Sequence, residues 1–206
     1  MDRKKHWEQL YTTKKSDSVS WFQEHAEQSL RLIHATDIGS GAAIIDIGGG
    51  ASTLVDDLVR ESYRDITVLD LSAAALATAR RRIGESAKNI DWIEGDITDV
   101  QLPALRFDIW HDRAVFHFLT EADSRRRYIE QILNAVRPGG LIIIATFAED
   151  GPEKCSGLPV VRYTPNALHA EFGDGFKLLA HEKEAHSTPF GTTQQFIYCY
   201  CRLGKA

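Results

Sequence analysis

The sequence predicts a doubly wound α/β fold, in which a mostly parallel sheet is covered by helices on both faces. Five short, mostly apolar segments alternate with helix-like segments up to about residue 147. Strands that are apolar on both faces are typical of parallel sheets buried between helices. Beyond residue 150 two strand-like segments follow each other without a helix-length segment between them, which predicts an antiparallel pair.

The expected elements follow from apolar patterning and from cap residues. Residues 1–36 have an amphipathic helical pattern that is interrupted near 14–19. The predicted strands are 42–47, 66–71, 90–94, 107–110, 141–146, 176–184 and 195–202. The predicted helices are 53–60, 73–83, 121–136 and 164–172. Ser52 and Ser72 precede the helices at 53 and 73 as candidate N-caps. Arg137-Pro138-Gly139-Gly140 is expected to end the helix before it, because proline and glycine favour a turn.

Length and composition exclude several classes of protein. A chain of 206 residues with 43% hydrophobic residues predicts one globular domain and excludes disorder. No apolar run approaches the 18 or so residues of a membrane span, and the first residues do not have the pattern of a signal peptide. The net charge of −5 argues against a nucleic-acid or anionic-membrane partner. Three cysteines without a CxxC motif predict reduced thiols and a cytoplasmic location.

The turn between the first strand and the next helix indicates a nucleotide-type ligand. It reads Asp46-Ile47-Gly48-Gly49-Gly50, and glycines let a ligand lie against bare backbone. Asp70 ends the second strand twenty residues later, where a carboxylate accepts hydrogen bonds from both hydroxyls of a ribose. A dinucleotide motif would need a third glycine where Thr53 stands, and Asp46 would repel a pyrophosphate. The pattern therefore favours a ligand that carries positive charge.

Five motifs occur in the order of a known family. They are Asp46-x-Gly48-x-Gly50, Asp70 after ITVL, Asp96 in EGDI, FDIW at 107–110 and the RPGG turn at 137–140. In these motifs the chain resembles the class I S-adenosylmethionine-dependent methyltransferases over about residues 40–147. The resemblance implies a Rossmann-like, seven-stranded sheet with an antiparallel C-terminal pair, S-adenosylmethionine as cofactor and S-adenosylhomocysteine as product.

The same resemblance implies which residues bind the cofactor. Asp70 and its neighbour Leu71 would bind the ribose, and Asp96 with Ile97 would contact the adenine. Asp46, Gly48 and Gly50 would support the amino-acid end. Trp110 and Trp21 are further candidate cofactor contacts.

The segment after the fourth strand carries the candidate catalytic residues. Asp112-Arg113-Ala114 resembles the Asp-Lys-Gly segment of small protein-lysine methyltransferases, and the aromatic residues between Trp7 and Phe22 resemble the lid of that group. His111, Asp112 and His117 are candidates for a general base, and Arg113 for a clamp on an anionic substrate.

These observations predict one methyltransferase domain over residues 1–206. Residues 1–36 would form a lid, 40–147 the cofactor-binding core and 148–206 the substrate side, with Cys155 overhanging the site. The favoured function is methyl transfer to a nitrogen, oxygen or sulfur atom of a small molecule, with a protein lysine as the alternative acceptor. A non-enzymatic nucleoside-binding regulator and a dinucleotide enzyme stay open. No metal is expected, because the spacing of Asp112, Glu149 and Asp150 fits a magnesium site poorly.

Overall fold

The computed structural model describes residues 2–204. Met1, Lys205 and Ala206, which the predicted domain includes, lie outside the described residues. The strands are β1 (Ala43–Ile47), β2 (Asp65–Asp70), β3 (Ile90–Glu94), β4 (Phe107–Arg113), β5 (Val136–Phe147), β6 (Lys154–Cys155), β7 (Leu158–Pro159), β8 (Phe176–Ser187) and β9 (Thr193–Leu203). The helices are α1 (Arg3–Thr13), α2 (Glu27–His34), α3 (Leu54–Arg60), α4 (Ala73–Ile83), α5 (Ala122–Ala135) and α6 (Pro165–Phe172), with short 3₁₀ turns at Ser16–Ser18, Gly84–Asn89 and Phe116–Phe118.

Seven strands form one sheet in the order β3-β2-β1-β4-β5-β9-β8. The pairs from β3 to β5 are parallel, and β9 pairs antiparallel with both β5 and β8. This confirms the predicted doubly wound fold with an antiparallel C-terminal pair. The strand order reverses between β1 and β4, and open α/β sheets bind ligands at the carboxyl ends of the strands at such a point.

The sheet separates two apolar layers, and side chains alternate between them along each strand. Helices α2, α3 and α4 supply one layer, while α5 and α6 supply the other. On β1, Ile44 faces the first layer, and Ile45 and Ile47 face the second. Asp46 shares the face of Ile44 and bonds to His111 there. Both layers are buried, so the sheet is a rigid platform for the loops above its carboxyl edge.

Several predicted boundaries need correction. β4 runs to Arg113 rather than Trp110, because His111 and Asp112 pair with β1 and β5. The turn at 137–140 ends α5 as predicted, yet these residues already belong to β5. Ser72 caps α4 with its side chain, as predicted, whereas Thr53 rather than Ser52 is the N-cap residue of α3. The N-terminal helical pattern is interrupted over residues 14–26, apart from the 3₁₀ turn at Ser16–Ser18.

No helix within residues 2–204 combines the length and the apolar character that crossing a bilayer requires.

Candidate active site

The glycine turn after β1 packs tightly against two neighbouring loops. Gly48 has a positive φ of 69°, and its N–H donates to the Leu69 carbonyl at 2.7 Å. A Cβ added at Gly48 would lie 2.1 Å from Val115 Cγ2, and one at Gly50 would lie 2.6 Å from Asp70 Oδ2. Only glycine fits these two positions without displacing a neighbour. The turn therefore presents bare backbone at the carboxyl edge of the sheet.

Asp46 lies beneath this turn with one oxygen bonded and the other free. Oδ1 accepts a hydrogen bond from His111 Nδ1 at 2.7 Å. Oδ2 is buried and has no hydrogen-bond partner among residues 2–204. A Cβ at Gly49 would lie 2.2 Å from this oxygen, so the turn leaves just enough room for it. A buried anionic oxygen without a partner is costly, and a cationic ligand would offset that cost.

Asp70 ends β2 on the opposite side of the turn. Its two oxygens accept the N–H groups of Gly50 at 3.0 Å and of Ser72 at 2.8 Å. Burial disfavours the charged form and raises the pKa of Asp70 to about 6 despite these two hydrogen bonds. An ionised carboxylate has about four acceptor sites, so Asp70 can still accept from the hydroxyls of a ligand.

Asp96 and Ile97 follow β3 at the next strand end along the sheet. Asp96 Oδ1 accepts from the Thr98 N–H at 2.9 Å and from the Thr98 hydroxyl at 2.7 Å. Asp96 Oδ2 lies 3.9 Å from the Arg3 guanidinium. Ile97 is 4% exposed and lies with Leu71 along the apolar wall of a cleft at this edge of the sheet. A flat apolar ring could pack against this wall.

Helix α1 lies over this edge of the sheet. Glu8 accepts hydrogen bonds from Ser72 Oγ at 2.7 Å and from the Ala74 N–H at 3.3 Å, which places a carboxylate at the N-terminus of α4. Lys4 pairs with Glu94 at 2.6 Å. The helix is therefore joined by polar contacts to the ends of both β2 and β3.

Aromatic side chains form the underside of α1. The Trp7 ring lies 5.2 Å from Phe118 and 5.6 Å from Trp21, both edge to face, and Tyr11 lies 6.4 Å from Trp21. The predicted aromatic segment thus lies over the cleft and includes Trp21. Glu8 and Lys4, which hold α1 through polar contacts, were not found from the sequence, because their partners are distant in the chain.

Two adjacent cavities lie beside this helix and share part of their lining. The main cleft is lined by Asp70, Leu71, Asp96, Ile97 and Cys155 among others. The side pocket is lined by Ser29, Asp46, Ser52 and His111 among others. Gly48, Tyr11, Trp21 and Arg113 line both. The arrangement suits one elongated ligand that passes over the glycine turn.

The end of β4 separates the predicted catalytic residues between the two faces of the sheet. His111 and Arg113 face the α2 side, where they line the cavities. Trp110 and Asp112 face the α5 side, where Trp110 Nε1 donates to the Tyr128 hydroxyl at 2.9 Å. Trp110 is fully buried and lines neither cavity, so its predicted cofactor contact is not supported. The alternation of side chains along a strand is the physical reason.

Asp112 also points away from the cavities. Its carboxylate accepts from the Val115 N–H at 2.8 Å, the Phe116 N–H at 3.0 Å and the Tyr128 hydroxyl at 2.6 Å. Burial raises the pKa of Asp112 to about 7. The predicted role as a base acting on substrate does not fit this position. Asp112 instead fixes the turn that presents Val115 to the glycine loop.

His117 is buried outside the cavities as well. Its Nδ1 accepts from the Phe147 N–H at 3.3 Å, and burial lowers the pKa of the ring to about 3. The imidazole is therefore neutral and fixed against β5. Its predicted catalytic role is not supported by this placement, because it lines neither cavity.

Arg113 lines both cavities, but its guanidinium is already engaged. It donates to the Tyr198 hydroxyl at 3.1 Å, to the Trp21 carbonyl at 3.2 Å and to Glu184 at 3.4 Å. It also stacks 4.2 Å from the centre of the Phe196 ring. The predicted clamp on an anionic substrate would have to compete with these partners. Arg113 joins the segment before α2 to the β8–β9 pair.

We expect Arg113→Ala to lower the free energy of unfolding by about 2 kcal/mol, because Glu184 and the Trp21 carbonyl lose a charged donor in a poorly hydrated place. Urea unfolding monitored by circular dichroism measures this. Arg126→Ala is the matched control, since Arg126 is 64% exposed and pairs with Asp123 and Glu130 on its own helix. Equal stability of the two variants would show that Arg113 does not hold these segments together.

The comparison with known proteins agrees with this geometry. Residues 44–140 match the family described as "Methyltransferase domain". This match agrees with the predicted resemblance to S-adenosylmethionine-dependent methyltransferases. The match covers β1 to the start of β5 and therefore includes the glycine turn, Asp70 and Asp96.

Two curated methyltransferases and one solved structure illustrate the likeness. The chain is 28% identical to EEF1A lysine methyltransferase 2 of Danio rerio over 133 aligned residues. The alignment covers 61% of this chain and 57% of that protein. It is 30% identical to malonyl-[acyl-carrier protein] O-methyltransferase of Enterobacter lignolyticus over 152 aligned residues. That alignment covers 71% of this chain and 57% of the relative. The N-methyltransferase NodS of Bradyrhizobium japonicum, solved with S-adenosylhomocysteine, superposes with a TM-score of 0.67 at 16% identity, covering 86% and 84% of the two chains. The chain thus spans little more than half the length of these two curated relatives.

Proposed function

We propose that this chain is a methyltransferase that binds S-adenosylmethionine along the main cleft and the side pocket, and transfers its methyl group to an acceptor. One observation carries the proposal: a buried, unpaired oxygen of Asp46 and the buried carboxylate of Asp70 lie on either side of a bare glycine turn. Two acids at this turn attract a cationic ligand and repel a pyrophosphate. A sulfonium nucleoside combines positive charge with a ribose.

The residues present fit this cofactor. Asp70 would accept from the ribose hydroxyls, and Leu71 and Ile97 would enclose the adenine beside Asp96. Gly48 and Gly50 let the turn pack against Val115 and Asp70, and the backbone of Gly48 lines both cavities. Asp46 would accept from the cationic amino-acid end. Trp21 is well suited to lie beside a sulfonium, because an aromatic face attracts cations.

S-adenosylmethionine supplies a methyl group on a cationic sulfur, which is already activated for transfer. The chain then has to orient the acceptor and exclude water, and such positioning can supply about 7–11 kcal/mol of a barrier. Cys155 lines the main cleft, but burial raises the pKa of its thiol to about 12, so it stays protonated. Asp112 and His117, two of the candidate bases, face away from the cleft. The structure therefore favours an acceptor atom from which the protein does not have to remove a proton.

We propose a small molecule as the acceptor and a protein lysine as the alternative. Helix α1 lies over the main cleft, and a small acceptor fits beneath it more readily than a folded protein surface. The net charge of −5 also disfavours a nucleic-acid substrate. The lysine alternative rests on the likeness to the Danio rerio relative and on the segment at Asp112-Arg113-Ala114. We also infer a cytoplasmic location, since all three cysteines are free thiols.

Isothermal titration calorimetry with S-adenosylhomocysteine tests the cofactor. We expect one site per chain, with no competition from a nicotinamide dinucleotide. Binding of the dinucleotide in its place would overturn the proposal. Release of S-adenosylhomocysteine with a metabolite panel and with a lysine-peptide library then separates the two acceptor classes. Tight binding of S-adenosylmethionine without product from either panel would favour a non-enzymatic regulator.

A further inference from the structure

A chain of buried hydrogen bonds lies behind the glycine turn and joins β1, β4 and α2. Asp46 Oδ1 lies 2.7 Å from His111 Nδ1, and His111 Nε2 lies 2.8 Å from Ser29 Oγ. The three residues are 2%, 2% and 0% exposed. The three side chains are therefore almost wholly buried, meet space only at the side pocket, and are held by packing of α2 against the sheet.

We infer that His111, held by Ser29, is a positioning residue that keeps Asp46 Oδ2 free for the cationic amino-acid end of the cofactor. The inference deepens the proposed function and rests on it. It assigns His111 no contact with the methyl acceptor, in contrast to the predicted catalytic role.

The hydrogen-bond partners of the His111 ring determine which of its two nitrogens carries the proton. An ionised carboxylate only accepts hydrogen bonds, so His111 Nδ1 must carry the proton that it shares with Asp46. Ser29 can donate its hydroxyl proton to Nε2 of a neutral ring. Asp46 thereby selects the Nδ1–H form, and Ser29 is compatible with it because its hydroxyl can donate to Nε2.

This pairing makes the two oxygens of Asp46 unequal. Oδ1 is held by the ring, so the carboxylate cannot turn about its Cβ–Cγ bond without breaking a buried charged hydrogen bond. Oδ2 stays beneath Gly49 with no protein partner, in a residue that lines the side pocket. A single buried anionic oxygen in a narrow pocket suits one ammonium group. The ring thus pre-orients the acceptor for that group.

Two nucleosides distinguish this role from a general effect on the site. S-adenosylhomocysteine carries the amino-acid end, whereas 5′-methylthioadenosine has the same nucleoside without it. We expect His111→Leu to weaken S-adenosylhomocysteine binding at least tenfold in calorimetry, and to change 5′-methylthioadenosine binding less than twofold. His111→Asn, which keeps an N–H near the Nδ1 position, should restore S-adenosylhomocysteine affinity to within threefold of the wild type.

Equal losses for the two nucleosides, or unchanged S-adenosylhomocysteine binding, would overturn the inference. If His111→Leu does not fold, Ser29→Ala takes its place, with a selective loss of about threefold expected for S-adenosylhomocysteine. An equal loss for both nucleosides in Ser29→Ala would again overturn it.

Nitrogen-15 histidine spectra of the ligand-free chain provide a separate readout. The signal that disappears in His111→Asn should be that of an Nδ1-protonated ring. A ring with a bare Nδ1 would refute the inference even when the cofactor binds. Failure of the wild type to bind either nucleoside, with the Nδ1–H form present, would instead refute the proposed function.

Discussion

Asp112→Ala is expected to lower the free energy of unfolding by about 3 kcal/mol or more at pH 6. The substitution leaves the Val115 and Phe116 N–H groups and the Tyr128 hydroxyl without their acceptor. The Phe116 N–H and the Tyr128 hydroxyl are buried and the Val115 N–H is partly buried. Each buried group left without a partner costs about 1–3 kcal/mol. Urea unfolding measures the loss. Asp123→Ala is the control, because Asp123 is 58% exposed and its partners Arg126 and Arg127 can turn to water.

The pH dependence of this loss has a defined sign. Burial raises the pKa of Asp112 from 3.8 to about 7, so the folded chain binds this proton more tightly than the unfolded chain. Its contribution to stability is complete below pH 4 and declines as the pH rises through about 7. The difference between wild type and Asp112→Ala should therefore shrink between pH 6 and pH 8. A difference that grows over this range would show that the folded state favours the ionised carboxylate.

Local patterns predicted the framework because they depend on neighbours in the chain. The alternation of apolar strands with helices, the glycine turn and the Ser72 cap are all set within a few residues, and the structure has each of them. The positions of Asp46 and Asp70 followed, since Asp70 ends β2 and Asp46 is the last residue but one of β1, and the two strands are parallel. Sequence alone could place these acids at one edge of the sheet.

The end of β4 was misjudged for a specific reason. The predicted strand stopped at Trp110, so residues 111–113 were treated as a loop that could all face the ligand. With the strand continued to Arg113, alternation places Trp110 and Asp112 on one face and His111 and Arg113 on the other. The apolar pattern did not reveal this, because polar residues occupy buried positions there and are compensated by distant partners.

Those distant partners could not be predicted from local spacing. Ser29 meets His111 across 82 residues, and Glu8 meets Ser72 across 64. Each contact depends on how α1 and α2 pack against the finished sheet. A buried histidine flanked by a strand-end acid is a weak signal of such a partner, and nothing in the sequence indicates that the partner is Ser29.

Asp70→Ala is expected to weaken both S-adenosylhomocysteine and 5′-methylthioadenosine at least tenfold, because both nucleosides carry the ribose that Asp70 would bind. This pattern differs from that of the His111 variants, which should affect only the first. Asp65→Ala is the matched control at the other end of β2, where the side chain is 40% exposed and pairs with Arg106. The melting temperature of each variant must be measured as well, since Asp70 also accepts from Gly50 and Ser72. A stable Asp70→Ala protein that binds both nucleosides as the wild type does would remove Asp70 from the ribose site.

The raised pKa of Asp70 predicts that nucleoside binding depends on pH. Burial raises its pKa to about 6, so the carboxylate is ionised at pH 8 and mostly protonated at pH 5. Ribose hydroxyls donate to the ionised form, and a ligand that prefers this form binds more weakly as protons compete for it. Wild-type affinity for 5′-methylthioadenosine should be constant above pH 7 and about tenfold lower at pH 5, one unit below the pKa. Asp70→Asn cannot ionise, so its weaker binding should not vary between pH 5 and pH 8. A parallel decline in the variant would assign the titration to another group, of which Asp112 is the first to test because its pKa is raised to about 7.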